Sequence, residues 1–92
     1  MVLFVEGNVM NRGKFARFLD VKQDLPSILG QKINTAVSDV FFVVTEVGEG
    51  QIKLRLEGHE DKEERLLRLG ESTFYHHVGN AYGYSFTFSL KA

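Results

Sequence analysis

The side chains able to do chemistry in this chain are three histidines, a run of carboxylates and a few hydroxyls. His76 and His77 are neighbours in residues 73–78, a segment that reads as a strand. Successive strand side chains point to opposite faces, so the two imidazoles cannot hold one metal ion together. A zinc site would need one of them to meet His59, Glu60 or Asp61 from a distant loop. The residue four after His59 is Glu63, so the HExxH spacing is missing. The simpler reading is one surface histidine and one packed against aromatic rings. Ser72, Thr73 and Ser85 are the candidate nucleophiles, and none sits in an elbow. Gly70-Glu71-Ser72 lacks the second glycine of a G-x-S-x-G turn. Gly48-Glu49-Gly50 resembles half of a phosphate loop, but it joins two strands and sets an acid where a phosphate would lie. Glu57, Glu60, Asp61, Glu63 and Glu64 interleave with Lys62 and Arg65 and lack the D-x-D-x-D-G spacing, which reads as a solvated loop rather than a calcium site. No catalytic residue, metal or cofactor is assigned on these grounds.

Binding chemistry has a better ingredient list. Lys53 and Arg55 fall on the polar side of an alternating segment, and Arg65 and Arg68 would lie beside them if the strands are sequential. Tyr75, Tyr82 and Tyr84 are rings on which a sugar or a base could stack. Glu57, Glu64 and Glu71 dilute that patch into an ordinary mixed-charge face.

The elements that must position these residues are strands. Tyr82, Tyr84, Phe86, Phe88 and Leu90 alternate with Gly83, Ser85, Thr87 and Ser89, a period of two that no helix reproduces. Residues 2–6 and 14–21 read as a hairpin about Asn11-Arg12-Gly13, with Phe15 and Leu19 on one side and Ala16 and Phe18 on the other. Residues 39–47 are apolar on both faces and so read as a covered central strand. Across the Gly48-Glu49-Gly50 turn, Ile52, Leu54 and Leu56 alternate with Gln51, Lys53, Arg55 and Glu57. Residues 63–69 and 73–78 add two more strands, and residues 32–37 suit a short edge strand. Pro26 breaks the chain, and a short helical turn fits near 25–30. Leu29-Gly30-Gln31-Lys32 and Leu69-Gly70-Glu71-Ser72 each precede an aromatic strand, a hint of internal repetition.

Ninety-two residues make one domain, here with 43% apolar residues and eight phenylalanines. The absence of cysteine excludes disulfides and thiolate sites. A net charge of −1 argues against a duplex-DNA binder, which needs a basic footprint. The apolar start at residues 2–5 has no basic flank or small-residue cleavage site and reads as a strand, not a secretion signal. No apolar run approaches the roughly 20 residues of a membrane span. The chain therefore reads as a soluble antiparallel β-sandwich, or partly open barrel, of six to seven strands; nothing in it assigns a compartment. The expected role is a non-enzymatic interaction or assembly module that meets a protein partner, or another copy of itself, through a sheet edge or an exposed face. The alternative is a ligand-binding domain for carbohydrate or single-stranded nucleic acid using Tyr75, Tyr82, Tyr84, Lys53 and Arg55. An enzyme built on His59, His76 or His77 ranks last.

Overall fold

The computed structural model describes residues 1–11, 13–25, 27–35, 37, 39–58, 61–78 and 83–92, with the side chains of Asn11 and Asp61 excepted. Alternation yields strands throughout. They are β1 (Val2–Asn11), β2 (Lys14–Asp24), β3 (Lys32–Asn34), β4 (Val40–Gly48), β5 (Gln51–Gly58), β6 (Asp61–Arg68), β7 (Ser72–Val78) and β8 (Gly83–Lys91). They form two four-stranded antiparallel sheets packed as a sandwich, in the orders β2-β1-β8-β7 and β3-β4-β5-β6. The count is eight rather than six or seven, because the ambiguous stretch before β4 does pair, over three residues only. Among the described residues no helix forms, and none is long and apolar enough to cross a membrane.

The core is what the alternation demands. Tyr84, Phe86, Phe88 and Leu90 of β8 are fully buried and face Ile52, Leu54 and Leu56 of β5 and Val40, Phe42 and Val44 of β4 across the sandwich. Phe88 takes an edge-to-face contact from Phe42 at 5.3 Å and another from Tyr75 at 5.4 Å, the geometry that aromatic quadrupoles favour. On the second face of β4 Val43 is buried, while Phe41 is half-buried, with Lys32 Nζ 3.9 Å over its ring.

The β1–β2 hairpin departs from simple alternation. Its register slips between Gly7 and Asn8, so that Leu19 pairs with Gly7, Arg17 pairs with Asn8 and Phe18 is the extra residue of a bulge. Phe18 and Leu19 consequently pack together against the core, and Phe15 and Leu19 are on opposite faces, not the same one. Gly7 makes this feasible. A Cβ there would lie 2.9 Å from Leu19 Cβ, 3.0 Å from Phe18 Cζ and 3.1 Å from Phe86 Cε1.

Residues 27–31 form a tight turn where the sequence suggests a short helical one. Gln31 N donates to Ile28 O, Gly30 takes φ 77°, and Leu29 bridges Val44. A left-handed residue at Gly30 ends the helical path before it starts. Pro26 lies outside the described residues. The same device recurs forty positions on: Glu71 N donates to Arg68 O, Gly70 takes φ 85°, and Gly70 N reaches Leu90 O as Gly30 N reaches Val44 O. Both Leu-Gly turns thus launch an edge strand, β3 or β7, beside a long core strand, β4 or β8.

Candidate functional site

The register assigns each chemistry-bearing side chain to a face. On β7, His76 is exposed on the outer side, whereas His77 turns inward and stacks on Tyr84 with ring centroids 4.9 Å apart. His59 and Glu60 lie outside the described residues. Among the described residues no three His, Cys, Asp or Glu side chains gather as a metal site. Ser72 Oγ and Ser89 Oγ are 2.8 Å apart across the exposed face, a hydroxyl pair with no imidazole beside it in the register.

Among the described residues a small, partly open cavity lies where the two sheets meet along β6 and β7. Leu56, Glu63, Tyr75, His76, His77 and Tyr84 line a cavity of about 20 Å³, room for roughly one water. Tyr75 is only 3% exposed; its hydroxyl donates to Glu63 O at 3.3 Å, and the Arg65 guanidinium sits 4.8 Å over its ring. Burial pushes the Tyr75 hydroxyl well above the ordinary tyrosine range, against a smaller downward pull from Arg65. The residues here knit β6 to β7. A space for one water offers a substrate no place to sit.

Tyr75 and Tyr84 (0% exposed) are therefore core residues, and neither ring is presented as a stacking platform. Tyr82 lies outside the described residues. Lys53 and Arg55 do project from the outer face of β5, yet each has a carboxylate partner. Lys53 Nζ is 3.5 Å from Glu46, and Arg55 Nε is 2.9 Å from Glu57, close as an ion pair but off-line for a hydrogen bond. Arg65 does not join them. It pairs in register with Leu54, so it points to the inner side of β6, while Leu66 takes the place beside Lys53. Sequential strands alone suggested a row of four cations; the register of β5 on β6 divides it.

What the fold leaves open is backbone. The four strand edges are unequal. β3 offers three residues. The β6 edge is guarded by the inward-pointing Glu63 and Arg65, which pair at 2.9 Å. Across the seam the β7 edge is tied to β6 by the Tyr75–Glu63 bond and by Arg65 Nη1 donating to Thr73 Oγ1 at 3.3 Å. β2 stands at the end of its sheet with eleven residues, paired on one side only, to β1. At its start Phe15 is 55% exposed, and on the same outer face Phe74 and Val78 of β7 are 62% and 59% exposed. The edge and its exposed phenylalanine were not singled out in the sequence, because edge position depends on sheet order and not on composition. Comparisons with protein-family models, with curated proteins and with solved structures returned no match.

Proposed function

We propose that this chain is a non-enzymatic protein-interaction module that receives an extended segment of its partner along the open edge of β2. The observation that carries the reading is the inequality of the edges. Of the four, β2 is the longest, and its outer row of backbone donors and acceptors is paired to no strand, whereas β6 and β7 are joined to each other by side-chain hydrogen bonds. Adding a strand there satisfies those groups in the way peptide-binding sheets do. The outward-pointing side chains of the added strand would then lie beside Phe15, Arg17, Asp20 and Lys22.

Carbohydrate or single-stranded nucleic acid has less support as a ligand. Lys53 and Arg55 are charge-paired, and Tyr75 and Tyr84 are interior. Site-specific photo-crosslinking in cell extract tests the reading. A photoreactive residue replacing Lys22 on β2 is expected to give discrete protein adducts, whereas the same group replacing Lys53 on β5 or Phe74 on β7 is not. Adducts from β5 or β7 with none from β2 would overturn it.

A further inference from the structure

We infer that the segment received by β2 is the β2 strand of a second copy, related by a two-fold axis normal to the sheet. The two sheets would then join as one eight-stranded antiparallel sheet. This rests on the reading of β2 as the interaction edge and names its partner.

The argument is in the pattern of faces along the strand. Phe15 and Arg17 point outward with Met10 and Asn8, and Asp20 and Lys22 point outward with Glu6 and Phe4. Ala16, Leu19 and Val21 pair with the inner-face residues Val9, Gly7 and Val5, and the bulged Phe18 packs inward against Phe86. From Phe15 to Lys22 the faces therefore run out, in, out, in, in, out, in, out. That order is the same read backwards, with its centre between Phe18 and Leu19. Residues directly opposite each other in an antiparallel pair share a face. A two-fold through that centre therefore sets every outward residue against an outward residue, and every inward one against an inward one. Any other self-register that pairs both halves of the strand across the bulge sets an outward side chain against an inward one.

Side-chain chemistry agrees with that one register. Arg17 meets Asp20 of the second copy, and Asp20 meets its Arg17, two opposite-charge pairs on the outer face. Phe15, exposed in the single chain, meets Lys22 of the second copy. Lys22 Nζ already lies 5.8 Å over the Phe4 ring, so a neighbouring aromatic face suits it. On the inner face Phe18 meets Leu19, and Ala16 meets Val21. Within one chain Arg17 is flanked by two carboxylates, Glu6 at 2.5 Å and Asp20 at 3.5 Å. Its planar guanidinium carries enough donors to hold Glu6 while it reaches across the axis.

The inference is tested by solution mass and by a charge exchange between copies. Sedimentation of the wild-type chain is expected to show a particle of twice 10.4 kDa. Arg17→Asp and Asp20→Arg are each expected to run as monomers, because each sets like charges opposite each other twice. An equimolar mixture of the two variants is expected to dimerise again. There the retained Arg17 of one meets the retained Asp20 of the other, and the introduced arginine meets the introduced aspartate. A role confined to a single chain predicts no such rescue. Circular dichroism confirms that each variant is folded, and amide exchange on the wild-type chain supplies a variant-free readout: protection of residues 14–24 is expected to rise with protein concentration. Wild-type chain that stays at 10.4 kDa into the millimolar range, variants that dimerise unaided, a mixture that stays monomeric, or exchange that ignores concentration would each overturn the inference. A monomeric wild-type chain whose photoreactive β2 still captures other proteins would remove the second copy and keep the edge. Failure of β2 to give any adduct would remove both.

Discussion

Tyr75 shows at the scale of one residue how a seam is held. Its ring fills the gap beside Phe88 and its hydroxyl spends its proton on Glu63 O, so the folded state holds the neutral phenol. In the unfolded chain the same hydroxyl ionises near its ordinary value of about 10. A group whose folded value is raised contributes stability in full below the unfolded value, and that contribution is lost as pH rises past it. The unfolding free energy, measured by denaturant titration from about pH 8 to about pH 11, is therefore expected to fall on the alkaline side. Tyr75→Phe is expected to flatten that fall, at a loss near neutrality of about 1 kcal/mol for the missing hydrogen bond. The wild-type slope persisting in Tyr75→Phe would place its origin elsewhere. The sequence marks Tyr75 as a contact because its ring could stack on a sugar or a base. The structure supplies its hydroxyl with a backbone carbonyl from the other sheet instead, and no spacing within β7 reports that neighbour.

At the scale of the element, the β1–β2 hairpin turns on Gly7 and the bulged Phe18. The missing Cβ lets two consecutive large side chains enter the core from one strand, and the extra residue reverses the faces of everything before it. Gly7→Ala is expected to destabilise the fold by about 1–3 kcal/mol, the usual range for overpacking. The double variant Gly7→Ala with Phe18→Ala is expected to lose less than the sum of the single losses, since removing the Phe18 ring frees part of the space the new methyl needs. Denaturant titrations of the three variants check this, and strict additivity would mean that Phe18 does not press on Gly7. Elements without bulges were legible from alternation alone: β5 and β8 bury the residues their period assigns. The hairpin was legible as two strands, but its faces were not. Alternation has no sign for an unpaired extra residue, and here the partner strand's glycine creates the place for one.

For the whole molecule the governing fact is that the first and last strands are neighbours. β1 pairs with β8 from Val2 opposite Lys91 to Met10 opposite Gly83, so the β2-β1-β8-β7 sheet cannot close until almost the entire chain has collapsed. Loop-closure entropy must be met before those contacts form, which places all-β sandwiches among the slow two-state folders. Stopped-flow refolding is expected to take milliseconds to seconds, with Val5 and Phe88 substitutions altering the unfolding rate if the terminal strands dock late. Microsecond refolding would contradict this topology. The same arrangement explains where the molecule is open. Side chains draw β6 and β7 together on one flank, and the continuous edge left over is β2.

The sequence by itself determined the class of the protein. A period of two over segments too short for crossover helices can only bury its apolar residues between antiparallel sheets. It determined as well that His76 and His77 part company, because adjacent strand positions always do. Tertiary structure alone decided which strands are edges, which tyrosines are interior and which cations are neighbours. Those properties belong to pairs of segments, fixed by sheet order and register, and a single strand's pattern is the same in the middle of a sheet as at its rim.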